Sequence, residues 1–138
     1  MVIVWRRRDR SARRALANAT THRAVDFRRA RLVAMDLRGK GLRDSNLEYA
    51  DLTEADLRGA QLANANLHGV YLTSAQLDGA DLRDARLDDA YLLMTDFGAA
   101  VLDGVTLAGA VWDQSTSWPS GFRPPDPESG RGGSRRRK

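Results

Sequence analysis

The sequence predicts an all-β solenoid in which five-residue units turn the same way and four units complete one square coil. Three observations predict it. A large apolar residue recurs at every fifth position from Phe27 to Trp112, which makes 18 in succession. The residue two places before each is Ala in 11 of the 18 cases. Glycine often stands two places after it, as at Gly59, Gly69 and Gly109.

A period of five fits neither regular secondary structure. On an α-helix each step of five advances about 500°, so the leucines would be spread around the axis. On a flat strand, steps of five alternate between the two faces. A short extended piece followed by a tight turn solves both problems, and glycine supplies the backbone freedom that some turns need. The leucine and the small residue then point inward, and the other positions face water.

The 18 units amount to 4.5 coils, a rod roughly 20 Å long at the spacing of paired strands. The pattern is weakest at Lys40, which occupies an inward position, so regular coils are expected only from Ser45 onward. Either the first coil is irregular there, or the Lys40 ammonium reaches out past the rim.

A solenoid exposes its apolar interior at both ends and therefore needs caps. Ser11 is a candidate N-cap for a short helix before the repeats, and Trp112, Trp118 and Phe122 are candidates for a lid over the last coil. The Pro/Gly/Ser-rich end predicts disorder. We divide the chain into a basic N-terminal segment or cap (1–23), the repeats (24–113), a C-terminal cap (114–123) and a disordered basic tail (124–138).

Two segments carry a family resemblance. Ala-Asp-Leu-Arg-Gly at 55–59 and Ala-Asp-Leu-Arg-Asp at 80–84 resemble the A(D/N)LXX signature of pentapeptide-repeat proteins. The resemblance covers about two thirds of the chain and implies a right-handed quadrilateral β-helix. It also implies a possible partner, since some members of that family protect or inhibit DNA gyrase by imitating DNA.

The charge is divided along the chain. Residues 1–43 carry 13 Lys/Arg and 3 Asp/Glu, whereas residues 44–113 carry 3 Lys/Arg and 13 Asp/Glu. The basic ends are candidates for attachment to nucleic acid or a membrane surface. The apolar run Met1–Trp5 before the first arginines also resembles the cytoplasmic end of a membrane helix whose upstream part is missing, but we expect a cytoplasmic protein. The basic candidates are Arg6, Arg7, Arg8, Arg135, Arg136, Arg137 and Lys138.

Catalytic chemistry finds little support. Cysteine is absent, and neither His22 nor His68 has the spacing of a metal pair or of a base beside a nucleophile. Pairs such as Asp88 and Asp89 point outward from a convex rod. We therefore expect no enzyme, catalytic residue, cofactor or metal, and interpret the chain as a protein-binding scaffold or oligomerisation module.

Residues 20 apart lie above one another on one face of the rod, so columns can be derived from the sequence. One candidate partner face, for another protein or for a second copy, carries tyrosine and apolar residues at outward positions. An alternative is that a terminal segment covers this face. Its members are Tyr71, Tyr91, Leu93, Met94 and Val111.

The acidic residues form columns too. Regularly spaced carboxylates on a rod could imitate a phosphate backbone, which gives the alternative function of a DNA-mimicking regulator or protector of gyrase. The candidate residues of this acidic surface are Asp56, Asp78, Asp81, Asp84, Asp88, Asp89, Asp96 and Asp103.

Overall fold

The computed structural model describes residues 21–126. Two short strands, β1 (Thr21–Arg23) and β2 (Gly41–Arg43), pair in parallel. From Asp26 onward, single parallel β-bridges join residues 20 apart, first Asp26 to Asn46 and last Tyr91 to Val111. One coil therefore contains 20 residues, which is four of the five-residue units.

The interior is a column of stacked leucines. Every fifth-position residue from Phe27 to Leu107 is buried, and those from Leu47 to Leu92 are fully so. The alanines two places before them are buried as well, and the same position also holds buried Met35, Val70 and Thr95, so the corner beside each leucine takes mostly small side chains. The residues that recur at every fifth position therefore form the inward face of the coil.

The Asp or Asn that precedes many leucines accepts a hydrogen bond from a backbone N–H that the β-ladder does not use. The ladder uses the N–H of the leucine and of the second residue after it, as Leu67 to Arg86 O and Gly69 to Asp88 O show. The N–H between them donates instead to the side-chain oxygen two residues back, at 3.1 Å in the pair His68 and Asn66. Asx turns of this type explain why Asp and Asn recur at this position.

The turn position takes a positive φ whether or not it is glycine. Glu54 has a φ of 60° and Met94 one of 58°, so most turns tolerate a side chain. At some turns a Cβ would also overlap a side chain of the coil before, and at Gly69 this side chain is the ring of Tyr49. Glycine is required at this turn by the neighbouring side chain as well as by the backbone angle.

The expectation that regular coils begin only at Ser45 is wrong. Bridges from Asp26, Arg31 and Asp36 already follow the 20-residue register. Lys40 takes part in the ladder, since its carbonyl accepts the N–H of Gln61 at 2.8 Å. Its side chain is half-buried. A lysine fits an inward position at the rim because its alkyl stem packs while its ammonium reaches water.

An aromatic cluster lies over the last coil. An extra residue in the loop after Trp112 shifts the register, so Asp96 pairs with Ser117. Trp118 then stacks on Phe97 with ring centroids 4.8 Å apart, and its other neighbours are Trp112 and Phe122. These rings cover the apolar end of the interior. The predicted helix beginning at Ser11 lies outside the described residues, as does the predicted disorder beyond residue 126.

Candidate functional site

The four faces of the rod differ in chemistry. The second face contains residues 31–34 and their equivalents 20, 40 and 60 positions later, together with 111–113. Its outward column is formed by successive bridges from Arg31 through Asp51, Tyr71 and Tyr91 to Val111. The structure therefore places the tyrosines and Val111 in one column, and Leu93 and Met94 follow Tyr91 on the same face. We call Tyr71, Tyr91, Leu93, Met94 and Val111 the tyrosine face.

The two tyrosines form one platform. Their ring centroids are 4.8 Å apart, their planes differ by 3°, and each residue is 41% exposed. Neighbouring rungs of a β-ladder hold the two side chains at about the stacking distance. Because each ring packs against the other, the pair presents a flat aromatic surface whose burial would require little further loss of side-chain entropy.

Apolar and small polar groups extend the platform. Met94 is 60% exposed, and its backbone N–H is held by the Ser115 hydroxyl at 2.9 Å. Leu93 and Val111 are half-buried. On and beside this face, residues 70–74, 90–94 and 110–112 of the last three coils contain no charged residue.

Carboxylates surround this uncharged patch. Asp51 lies one coil below Tyr71, and Asp113 follows Trp112 above it. Asp88 and Asp89 precede it on the neighbouring first face, and Asp96 begins the third face beyond it. The patch is therefore an apolar and aromatic centre with an acidic rim.

Tyr49 is an exposed aromatic residue that the sequence analysis missed. It lies at a turn on the first face, is 41% exposed, and its hydroxyl is 3.1 Å from Nε2 of His68. The Arg29 guanidinium lies 5.7 Å from its ring centroid. The 20-residue period does contain a signal for Tyr49, because residues 29, 49 and 69 share a column and Gly69 leaves room for the tyrosine ring. Val101 on the fourth face, 39% exposed, was missed as well.

Three of the eight acidic candidates lie within ion-pair distance of an arginine, since Nε of Arg86 is also 3.6 Å from Oδ2 of Asp88. Asp56 binds Arg58 and Asp81 binds Arg83, each through two contacts that include an Nη2–Oδ2 distance of 2.7 Å. The hydrogen-bonded arginine holds the pKa of each carboxyl below its ordinary value of 3.8. A carboxylate neutralised in this way is a poor imitation of a free phosphate.

The acidic candidates besides Asp56 and Asp81 are distributed over three faces of the rod. Asp88 accepts hydrogen bonds from the Thr106 hydroxyl and the Ala108 N–H, and Asp78 accepts one from the Ala99 N–H at 2.7 Å. Asp89 lies 3.8 Å from Nε2 of His68. Several therefore also stabilise the next coil. Asp78 and Asp96 lie on the third face, Asp84 and Asp103 on the fourth, and Asp88 and Asp89 on the first.

The Asp81–Arg83 pair predicts a pH-dependent contribution to stability. Because the folded-state pKa of Asp81 is lowered, its contribution is present above the unfolded-state pKa and is lost as the pH falls through the folded-state value. Asp81→Asn keeps the turn hydrogen bond and removes the charge. We expect a small destabilisation at pH 7, far below that of a core substitution, which disappears in acid. Urea unfolding at pH 7 and pH 3 measures it, and a difference that persists unchanged at low pH would contradict this explanation.

Between residues 21 and 126, no group of three or more histidine or acidic side chains is arranged to hold a metal ion. The same part of the chain contains no helix with the length and apolarity needed to cross a membrane. The basic candidates Arg6–Arg8 and Arg135–Lys138 lie outside it.

Comparison with known proteins identifies the family. The family model described as pentapeptide repeats (8 copies) matches residues 26–62, 41–79, 50–92, 65–104 and 80–111. The chain belongs to the pentapeptide-repeat family. Membership confirms the resemblance seen in the A(D/N)LXX segments, and it gives the coil the right-handed sense of the family's β-helix.

Several solved structures of pentapeptide-repeat proteins are similar to this chain. One from Nostoc PCC 7120 is 33% identical over 83% of this chain and 88% of its own, with a TM-score of 0.42. One from the thylakoid lumen of Arabidopsis thaliana is 27% identical over 68% and 66%, with a TM-score of 0.37. Rfr23 from Cyanothece 51142 is 23% identical over 71% and 63%, with a TM-score of 0.38.

QnrB1, described as a plasmid-mediated fluoroquinolone resistance protein, is 18% identical over 68% of this chain and 56% of its own, with a TM-score of 0.34. This pentapeptide-repeat chain thus spans less than two thirds of the length of QnrB1 and of Rfr23. No curated protein sequence gives a significant match.

Proposed function

We propose that this pentapeptide-repeat protein is a non-enzymatic binding module that engages another protein through its tyrosine face. The observation that carries the proposal is the stacked, exposed pair Tyr71 and Tyr91 within an uncharged patch on an otherwise charged rod. Rigid, partly exposed aromatic side chains are typical centres of protein interfaces, because they supply contact area at little entropic cost.

The rim indicates the chemistry of the partner. Asp88, Asp89, Asp96 and Asp113 surround the patch, so a matching surface has an apolar or aromatic centre and Lys or Arg at its edge. Two tyrosine faces meeting directly would bring like charges together. This favours a different protein over a second copy at this site.

Serine substitutions test the proposal. We expect Tyr91→Ser and Leu93→Ser each to weaken binding of the partner at least tenfold, since both remove apolar contact area and leave the net charge unchanged. Gln76→Ser is the matched control, because Gln76 is an exposed ladder residue on the third face. Affinity is measured by calorimetry with the partner that the unmodified chain captures, and the fold is checked by circular dichroism. Equal effects from all three variants would contradict the proposal.

A DNA-mimicking action on gyrase is the second candidate. Residues 87–122 contain five Asp and no Lys or Arg, so this part of the rod carries an excess of negative charge, and of the five only Asp88 has an arginine, Arg86, within 4 Å among the described residues. A supercoiling titration with gyrase separates the two candidates. Mimicry requires that Asp78→Asn, Asp88→Asn and Asp103→Asn together abolish inhibition while Tyr91→Ser retains it. Absence of inhibition by the unmodified chain would remove this candidate.

A cytoplasmic location and attachment to nucleic acid or a membrane surface through the basic ends stay predictions from the sequence. The absence of catalytic activity is likewise part of the proposal. What supports it is the outward position of the charged side chains on a convex rod.

A further inference from the structure

Met94 is held on the outside of the rod by two hydrogen bonds. It is 60% exposed, more than any other large hydrophobic side chain between residues 21 and 126. Its thioether sulfur accepts a hydrogen bond from the Ser74 hydroxyl of the coil below, with an Oγ–Sδ distance of 3.8 Å. Its backbone N–H donates to the Ser115 hydroxyl at 2.9 Å. The residue is therefore fixed in position and accessible to small molecules in the solvent.

Exposure distinguishes Met94 from Met35. Cysteine is absent from the chain, so methionine sulfur is the group that a peroxide oxidises most readily here. Met35 occupies an inward position of the first coil and is only 7% exposed. Met1, the third methionine, lies outside the described residues. Of the two methionines between residues 21 and 126, a dissolved hydroperoxide therefore reaches Met94 far more easily.

A sulfoxide at position 94 changes the chemistry of the tyrosine face. Met94 follows Tyr91 in a stretch, residues 90–94, that contains no charged residue. Methionine supplies an apolar and adaptable contact, whereas its sulfoxide is polar and carries a hydrogen-bond acceptor. A partner with an apolar centre removes water from this oxygen without replacing its hydrogen bonds, which costs binding free energy. Oxidation of Met94 should therefore weaken binding at the tyrosine face.

The fold tolerates a polar group at this turn. Glu54 and Ser74 occupy the equivalent position in the two coils below, each with a φ of 60°, close to the 58° of Met94. Both are polar residues outside the apolar interior. An oxygen atom added to the sulfur of Met94 thus changes the surface of the rod and leaves the leucine column intact.

We propose, resting on the proposed function of the tyrosine face, that Met94 is a reversible oxidation site whose conversion to the sulfoxide weakens binding of the partner. A lone pair of the sulfur attacks one oxygen of a hydroperoxide and the O–O bond breaks. The sulfur keeps that oxygen and is oxidised by two electrons, while the hydroperoxide is reduced to water or an alcohol. In the reverse step a dithiol supplies two electrons and becomes a disulfide, and the oxygen leaves as water, as in methionine sulfoxide reductases.

Peptide mapping by mass spectrometry after treatment with hydrogen peroxide tests the site itself. In the folded chain Met94 should gain one oxygen atom at least about tenfold faster than Met35, because oxidation follows exposure. In concentrated urea, which exposes both side chains, the two rates should become similar. Equal rates in the folded chain would overturn the proposal. The urea midpoint should be unchanged once Met94 is oxidised, and a large fall would overturn the proposal as well.

Binding before and after peroxide treatment tests the consequence. Affinity for the partner that the unmodified chain captures should fall about tenfold on oxidation and recover after treatment with a methionine sulfoxide reductase and a dithiol. Met94→Leu is the matched control. Each chain is compared with itself, and this variant should have the same affinity before and after peroxide. An equal loss in the treated Met94→Leu chain would assign the effect to another residue and overturn the proposal.

Tyr91→Ser separates the role of Met94 from the proposed function. We expect weaker binding both in this variant and in the oxidised unmodified chain. Weaker binding in Tyr91→Ser with unchanged binding in the oxidised chain would overturn the role of Met94 and leave the tyrosine face as the binding surface. Unchanged binding in both would overturn the proposed function and the oxidation site together.

Discussion

Replacing Leu72 by Ala should lower the free energy of unfolding by about 2 to 5 kcal/mol. Leu72 is fully buried in the third coil, with Leu52 below and Leu92 above it in the same column. In a solenoid each coil is stabilised only by its neighbours, so a cavity in the middle coil weakens two interfaces at once. The interior cannot collapse around it, because the β-ladder fixes the distance between coils.

Urea unfolding followed by circular dichroism measures this loss. Gln76→Ala is the control, since Gln76 is an exposed ladder residue in the same coil, and we expect a change within about 0.5 kcal/mol. Equal losses for the two variants would mean that the fifth-position residues do not form the interior, and the fold described here would be wrong.

Trp118→Ala should produce the second large effect, a loss of about 3 kcal/mol. Trp118 lies parallel to Phe97 at 4.8 Å and meets the ring of Phe122 at 5.3 Å, so it closes the apolar end of the rod. Removing it exposes Phe97 and the last coil to water. Trp118→Phe preserves an aromatic ring over Phe97 and should retain most of the stability.

Hydrogen exchange distinguishes a cap from an ordinary contact. With Trp118→Ala, amides of the last two coils should lose protection first while those of the second and third coils stay protected. A uniform loss of protection along the rod would contradict a capping role, and an unchanged free energy of unfolding would mean that the ring contributes nothing to the end of the rod.

The sequence predicts the interior well because the leucine at every fifth position has only one way to be buried. The 20-residue columns follow directly from that period, which is why the alignment of Tyr71 with Tyr91 could be predicted. The expectation that Lys40 interrupts the first coil was wrong, because residue type alone does not show that an inward position at the rim is only half-buried.

The contacts between side chains were harder to predict. Asp81 was a candidate for a DNA-mimicking acidic surface, and the structure shows it in a two-contact ion pair with Arg83. Pairing depends on how two flexible side chains meet along one face, and the period does not determine this. Tyr49 was not predicted for a related reason. It stands at a turn position, and the sequence does not show that Arg29, His68 and Gly69 surround its ring.

Site-specific photocrosslinking around one coil tests the central claim most directly. Residues 86, 91, 96 and 101 are all exposed ladder positions of the fourth coil, one on each face. With a photoreactive amino acid at each position in turn, the protein partner should be captured strongly from position 91 and weakly or not at all from the other three. Equal capture from all four, or capture mainly from position 96 on the third face, would contradict the assignment of the tyrosine face as the binding surface.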